Sequence, residues 1–337
     1  MQDNMMGIRS VYADCAASAP ILPCAMDALR EAWIMGWGNP NSVHKAGRIA
    51  RQKLEEAREV VARCIGAKPE EIAFTPSATV ACAVGFNACL CSRVSPYEHK
   101  AVSKLYPYKG TDGYAHMLAN NETGEVFVRQ VQALSKKYAV FTDATAAVGQ
   151  IPVNVDELGV AALAAGGHKF GAPPGIGFVY VRGGVKDDAF PGTPPAALAL
   201  ALANALEYRT DYIMENLERM THRRTMLIEK LTRISGAHIN CINKPRLPNI
   251  ISVRFDGINA RELLTTLDAS GVYASAGAAC TADADTPSPV LLASGLNEEQ
   301  ALSTVRLSFC PEHKDDDYNF VADALSRCVG QLRKLTK

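Results

Sequence analysis

The sequence carries no net charge: 35 lysines and arginines are matched by 35 aspartates and glutamates over 337 residues. Without a broad positive field nothing gathers a phosphate backbone, which argues against nucleic acid as a partner. A membrane-spanning run is also missing. The longest weakly broken apolar stretch, Pro194 to Leu206, is alanine-rich and shorter than the ~20 residues a spanning helix needs. The first ten residues, MQDNMMGIRS, have neither a basic start nor the apolar segment of a secretory signal, so a cytoplasmic location is expected. The ten cysteines form no Cys-x-x-Cys pair and are scattered from Cys15 to Cys328. Such scatter in a long chain excludes a small disulfide scaffold and leaves most of them as buried free thiols. No repeat of 20 to 50 residues is visible, and no low-complexity tract beyond the alanine-rich stretches at 161–165 and 196–205. What remains is a globular chain, 48% hydrophobic, long enough for two domains with a core each. A small-molecule enzyme is the expected class.

Along the chain, Leu54, Ala57, Val61, Cys64 and Ile65 recur at helical spacing and Gly66 follows as a stop, which predicts a helix over 45–65. Strands are expected at 71–74, 138–142, 160–165 and 177–181, with a helix over 80–90. Strands alternating with helices predict an α/β fold with a mainly parallel sheet, whose ligands gather beyond the carboxyl ends of the strands. Asp143, His168 and Lys169 lie at such ends. A long polar helix over about 210–234 precedes a second set of elements: strands at 249–255, 271–275 and 304–309, a helix at 260–270, and a final helix with Asp315, Asp316 and Asp317 at its start. That acid run suits the helix dipole. The boundary is expected near residue 236, giving a large domain over 21–235 and a smaller α/β domain made of 1–20 and 236–337.

The chemistry concentrates around Gly167-His168-Lys169, where glycines and prolines surround a lysine directly after an apolar strand. A lysine so placed can form a Schiff base if burial lowers its pKa; an exposed loop lysine is the plain alternative. Asp143 at the end of a neighbouring strand tips the balance. A carboxylate to keep a pyridine nitrogen protonated and a lysine to hold an aldehyde carbon are the pair that pyridoxal phosphate needs. Ser77-Ala78-Thr79, between a strand and a helix, supplies hydroxyls and backbone N–H groups for a phosphate, although an ordinary helix cap would look the same.

Taken together, Tyr12-Ala-Asp14, Gly38-Asn-Pro-Asn-Ser-Val-His44, Phe74-Thr-Pro-Ser-Ala-Thr79, Glu98-His-Lys-Ala-Val102, Asn120-Asn-Glu-Thr-Gly124, Asp143-Ala-Thr145 and Gly167-His-Lys169 resemble the cysteine desulfurases of the class V aminotransferase family. Leu247-Pro-Asn249, Ser275-Ala-Gly-Ala-Ala-Cys280, Pro287-Ser-Pro-Val-Leu291 and Val305-Arg-Leu-Ser308 continue the match in family order. The resemblance implies the fold type I of pyridoxal-phosphate-dependent transferases and a chemistry that takes L-cysteine to L-alanine. Lys169 would carry the cofactor, Asp143 pair with its pyridine nitrogen, and His99 stack on the ring and assist proton transfer. Asn121 would contact the cofactor's phenolic oxygen and the substrate; Ala78, Thr79 and His168 would hold the phosphate. Thr193 matches a threonine that reaches the phosphate of a neighbouring subunit, which implies a homodimer. Arg306 would bind the substrate carboxylate, a task for a bidentate donor.

Cys280 stands between small residues and the polar stretch Thr281 to Pro287, too poor in apolar content to bury it. The resemblance makes it the nucleophile that receives the sulfur as a persulfide and passes it to an acceptor or scaffold protein, in the manner of the NifS/IscS-type enzymes. A selenocysteine lyase, another C–S lyase of the same fold, and a trimmed non-catalytic binding subunit are the competing readings. Departures are visible: the family glutamine of Asp-Ala-x-Gln is Ala146, its phosphate-binding serine is Gly166, and the asparagine of its N-terminal motif is Cys15. Only 22 positions separate His99 from Asn121, where the family fits a further strand and helix, and the loop between Val181 and Thr193 is also short.

Overall fold

In the computed structural model, residues 9–105, 110–184, 192–277 and 286–335 are described. The elements in chain order are β1 (Val11–Tyr12), α1 (Pro23–Met35), α2 (Lys45–Ile65), β2 (Ile72–Thr75), α3 (Ala78–Ala88), β3 (Cys91–Val94), α4 (Lys100–Ser103) and β4 (Gly113–Ala115). There follow α5 (Val128–Ser135), β5 (Val140–Asp143), α6 (Val155–Leu158), β6 (Ala162–Gly166), β7 (Gly177–Val181), α7 (Ala196–Asp211) and α8 (Ile213–Leu231). The last are β8 (Ala237–Ile239), β9 (Ile250–Phe255), α9 (Ala260–Ala269), β10 (Val272–Tyr273), α10 (Pro289–Ala293), α11 (Glu298–Leu302), β11 (Thr304–Ser308) and α12 (Asp315–Leu335).

The chain forms two compact units, one made of residues 18–119 and 127–213 and the other of residues 1–17, 120–126 and 214–337. The first is built on a six-stranded sheet in the order β2-β7-β6-β5-β4-β3. The three pairings from β6 to β3 are parallel, whereas β7 runs antiparallel to both β6 and β2. The reversal has a local cause. Only Phe170 to Ile176, a proline- and glycine-rich turn, joins the helical turn at Lys169 to β7, and so short a link returns the chain beside the strand it just left. The β5 and β6 strands are wholly buried; β6 is apolar throughout, and β5 is apolar until Thr142 and Asp143 at its end.

The helix α2 begins and ends where expected. Gly66 takes φ +69°, a left-handed cap in which its N–H reaches the carbonyls of Ala62 and Arg63. The expected long helix over about 210–234 is α8, Ile213–Leu231, and Tyr212 separates it from a further helix, α7, directly before it. The alanine- and leucine-rich run is α7, a core helix packed on α1 and α2 in the same unit. Its sequence shows no polar face because it is covered nearly all round.

The second unit holds the three-stranded sheet β11-β9-β8, antiparallel throughout, and a two-stranded pair of β1 and β10. Its core joins Met220, Leu227 and Leu231 of α8 to Val253, Phe255, Leu263, Val305 and Leu307. The polar helix before residue 236 thus packs with this unit rather than with the large one, and Asn120–Val126 joins it too. No described helix is long and apolar enough to cross a membrane.

The position of α3 over the sheet is fixed by Gly85, where an added Cβ would lie 2.6 Å from the Phe141 ring of β5. A glycine-to-alanine change inside a helix ordinarily stabilises by roughly 0.5–1 kcal/mol. Gly85→Ala is expected to do the reverse, costing about 1–3 kcal/mol through overpacking. Urea unfolding of Gly85→Ala beside Gly85→Ala/Phe141→Leu checks this, the second change restoring part of the loss.

Candidate functional site

In the large unit three strand ends converge. β5 closes on Asp143, buried at 5% exposure, whose Oδ1 accepts from the Thr145 N–H at 2.9 Å. β6 is paired beside it with Asp143 opposite Ala164, and runs straight into the helical turn Gly167–Lys169. His99 caps α4, its Nδ1 accepting from the Ala101 N–H at 3.1 Å. Burial lowers the His99 pKa, the Asp143 carboxylate opposes that shift, and Lys169 adds to it. His99, Asp143 and Lys169 therefore share one electrostatic neighbourhood.

Glu98, one residue before His99, is buried, and burial followed by the Asp143 charge pushes its carboxyl well above the usual range. Cys82 of α3 is fully buried and hydrogen-bonds to Asp143; burial and the carboxylates of Asp143 and Glu98 raise its thiol well above normal. Both shifts favour the protonated forms of Glu98 and Cys82 beside Asp143. Neither residue was singled out from the sequence for a role. Only the fold brings them to Asp143.

The phosphate-holding end is equally local. The Ser77 Oγ caps α3 by accepting from the Val80 N–H at 3.3 Å, and the N–H groups of Ala78 and Thr79 have no acceptor among the described residues. Such open N–H groups at a helix start suit an anion. A Cβ on Gly166 would lie 2.9 Å from the Ala78 Cβ and 3.4 Å from the His168 ring, and one on Gly177 would lie 3.1 Å from the Ala78 nitrogen. The glycine that replaces the family serine is thus what lets His168 and the helix start come together. Burial, then the Lys169 charge, lowers His168 to about 4, so the ring is neutral near pH 7 and offers a hydrogen bond rather than a charge. The buried Asp143 for a protonated ring nitrogen, the Lys169 amine and the open helix start form a donor set that fits pyridoxal phosphate, with Gly166 and Ala146 leaving it fewer side-chain contacts than the family pattern.

In the second unit, Arg306 of β11 is 1% exposed. Its Nη2 donates to Asp14 Oδ1 at 2.6 Å in an ion pair, and its Nη1 donates to the Asn121 carbonyl at 3.0 Å, while its Nε has no hydrogen-bond partner. Ser275 Oγ donates to the other Asp14 oxygen at 3.3 Å, and the Arg306 N–H donates to the Ser275 carbonyl at 2.6 Å. Asn120, fully buried, folds the 120–126 segment by accepting the N–H groups of Glu122 and Thr123, each at 2.8 Å. Glu122 then meets both described flanks of the stretch that contains Cys280. Ser288 Oγ donates to its Oε2 at 2.6 Å, and a Cβ on Gly277, at φ +68°, would lie 2.9 Å from that same oxygen. Cys280 itself lies outside the described residues. Thr193, in the large unit, is exposed and accepts from the Asn39 amide at 3.5 Å.

Comparison with known proteins agrees with this arrangement. The family described as aminotransferase class-V matches residues 11–105 and 108–320. The chain belongs to that family. It is 32% identical to a cysteine desulfurase IscS of Dictyoglomus turgidum, covering 97% of this chain and 96% of the relative. It is 31% identical to an IscS-like cysteine desulfurase of Mycobacterium tuberculosis, covering 96% and 97%. A solved NifS-like protein superposes with a TM-score of 0.85 at 25% identity, over 96% of this chain and all of the other. The expected α/β fold of pyridoxal-phosphate type I transferases is thus the one adopted. The first alignment runs over 380 positions and takes in 97% of this 337-residue chain, so the chain carries gaps inside the match to that relative.

Removing one partner of a buried ion pair leaves the other charged and alone. Asp14→Asn is expected to destabilise by about 3–5 kcal/mol, with Asp14→Asn/Arg306→Gln losing less than the two single changes summed; calorimetric melting of the three variants reads this coupling. A second outcome concerns pH. His168, His99 and His116 all titrate below their unfolded values, so an unfolded chain binds protons first as pH falls. Stability is expected to decline on acidification from the ordinary histidine value of ~6.5 toward about 4, and His168→Asn should flatten that decline in urea titrations.

Proposed function

We propose that the protein is a cysteine desulfurase that uses pyridoxal phosphate, converts L-cysteine to L-alanine and holds the sulfur as a persulfide on Cys280. The observation that carries the reading is the grouping of Lys169, buried Asp143 and His99 next to an anion-ready helix start, in a chain whose near-full-length relatives bear that name. Ala78, Thr79 and His168 would hold the cofactor's phosphate, Asp143 its ring nitrogen and Asn121 its phenolic oxygen, and Lys169 would be its covalent anchor. Pyridoxal phosphate supplies a sink for the electron pair released at the substrate Cα.

Arg306 receives the substrate carboxylate with a donor edge that Asp14 and the Asn121 carbonyl keep in one orientation. Lys169, released as a free amine, takes the α-proton, and His99, kept neutral by burial, exchanges protons at the reacting centre. Cys280 reacts as its thiolate. Its sulfur attacks the substrate sulfur, a new S–S bond forms, and the substrate C–S bond breaks with its electron pair left on carbon. A proton added at Cβ and the return of the α-proton from Lys169 complete alanine. The persulfide then goes to a sulfur-acceptor or scaffold protein serving iron–sulfur or thio-modification chemistry, in the cytoplasm. Lysine, aspartate, histidine, cysteine and arginine are all retained, which favours an enzyme over a non-catalytic binding subunit; a selenocysteine lyase would share the same residues.

A homodimer belongs to this reading. Both tryptophans of the chain, Trp33 and Trp37, are 61% and 75% exposed, next to exposed Ile34, Met35 and Val43. An apolar patch of this kind on a large unit marks an interface. Asn39, within it, touches Thr193, so a second copy seated on the patch would bring Thr193 toward its partner's phosphate site.

Purified protein is expected to be yellow, and Lys169→Ala to lose the covalently held colour. Cys280→Ala should stay yellow yet stop releasing sulfide from cysteine in the presence of a reductant, with the reaction followed by alanine and sulfide assays. Undiminished sulfide release by Cys280→Ala would remove the persulfide step. Loss of a hydrogen bond to a charged group costs about 1.5–3 kcal/mol, so Arg306→Lys should raise the KM for cysteine roughly 10- to 100-fold. Trp37→Glu is expected to shift the protein from dimer to monomer in light scattering and to weaken retention of the cofactor.

A further inference from the structure

Away from the residues allotted to cofactor and substrate, the second unit contains one close cluster of soft ligands. Cys15, Cys310 and His313 each place a ligand atom within 4.8 Å of the other two. The backbone explains how cysteines 295 positions apart meet. The Ser308 N–H at the end of β11 donates to the Ala13 carbonyl at 2.8 Å, and the Cys15 N–H donates back to the Ser308 carbonyl at 3.2 Å. Both cysteines are buried, at 2% and 4% exposure.

The imidazole is oriented as well. His313 Nδ1 lies 3.1 Å from the Cys310 nitrogen and 3.2 Å from its carbonyl oxygen. Its ring meets Phe309 edge-on at 5.5 Å, and Phe309 stacks on Tyr318 at 4.0 Å. The Tyr318 hydroxyl is buried without a hydrogen-bond partner, and it feels the charges of Cys15 and Cys310. A hydroxyl left unsatisfied in a buried site is costly. It marks room for a further group at the cluster.

We propose that Cys15, Cys310 and His313 form a binding site for a soft divalent cation of the zinc class. Two thiolates and an imidazole are a donor set that zinc takes in tetrahedral sites, the fourth position being filled by water or by the Tyr318 oxygen. Hard cations need several oxygen ligands, whereas the clustered donors are two sulfurs and one imidazole nitrogen. Charge favours the same assignment: each thiol gives its proton to solvent as its metal–sulfur bond forms, and two thiolates neutralise the two positive charges, so the buried complex carries none. No electron is transferred. His313, half-buried, gives the ion a way in. An Nδ1 proton can be given to the Cys310 carbonyl, the outer hydrogen bond that usually fixes a metal-binding histidine. The bound ion would clamp the segment 13–16 to the segment 308–313, the same two segments that the Asp14–Arg306 ion pair joins.

The site can be tested on the reduced, chelator-treated, cofactor-loaded protein by titration with Co2+ and then Zn2+. Wild type is expected to take up one Co2+ with a thiolate-to-metal charge-transfer band that Zn2+ displaces. Cys280→Ala should keep the band, which separates it from the proposed nucleophile, and Cys91→Ser should keep it as a buried-cysteine control. Cys15→Ser and Cys310→Ser should lose it. His313→Ala, whose ring is half-exposed and removable without opening the core, should bind Co2+ at least about tenfold more weakly. Absence of the band in wild type, or its survival in both Cys15→Ser and Cys310→Ser, would overturn the site. So would a mass two hydrogens lighter with Cys15 and Cys310 joined and no metal taken up after reduction, which would make the pair a redox lock instead. None of these readouts depends on sulfide release, so the metal site and the desulfurase reading stand or fall separately.

Discussion

The smaller unit depends on one buried ion pair. Arg306 is closed off from solvent and meets Asp14 at 2.6 Å, and that contact brings together chain segments at 14, 121, 275 and 306. A buried pair is weak as a source of net stability, because desolvating two charges offsets most of their attraction. What it enforces is position: an arginine stripped of water must have its acceptors in place, so the four segments are held wherever this unit folds. One face of the guanidinium is taken by Asp14 and the Asn121 carbonyl. Two of its five N–H groups are used in this way, and the Nε has no hydrogen-bond partner among the described residues.

In the larger unit the corresponding constraint is a carboxylate. Asp143 is buried at a strand end, where burial and its carboxylate push the Glu98 carboxyl and the Cys82 thiol up and burial pushes the His99 ring down. A buried carboxylate is suited to holding a proton on a ring nitrogen. The glycines at 166 and 177 serve the same end, since either with a side chain would push the start of α3 away from His168. The loss of the family serine at 166 is matched by closer backbone approach.

Much of the fold was legible in the sequence, and the reason is local in each case. The helix over 45–65 is readable because its apolar positions repeat at helical spacing and Gly66 can take a left-handed cap. The strand at 177–181 is readable because an apolar run is bounded by glycines. The helix of 196–211 was not recognised as such, because burial on all sides erases the polar face that periodicity depends on. The direction of β7 was missed for a similar reason: a strand's sequence says that it is buried but not which way it runs, and here the short link after Lys169 decides it. The unit to which the helix before residue 236 belongs also followed from packing, through Met220, Leu227 and Leu231.

The sequence by itself determined which residues are proposed for the chemistry, because Lys169, Asp143, His99 and Arg306 stand in short strings that resemble those of the family in residue type and order. It also marked Cys280 by the poverty of apolar residues around it. Tertiary structure alone decided which groups act on those residues. Asp14 on Arg306, Glu122 on the flanks at Gly277 and Ser288, Glu98 and Cys82 beside Asp143, and Cys15 with Cys310 and His313 are all pairings of residues distant in the chain. Cys310 and His313 apart, which are three residues from each other, their separations run from 45 residues (Glu98 to Asp143) to 298 (Cys15 to His313), and no local pattern encodes such a distance. Strand pairing and burial bring them together, and burial then turns each meeting into a fixed charge, a held proton or a cluster of ligands.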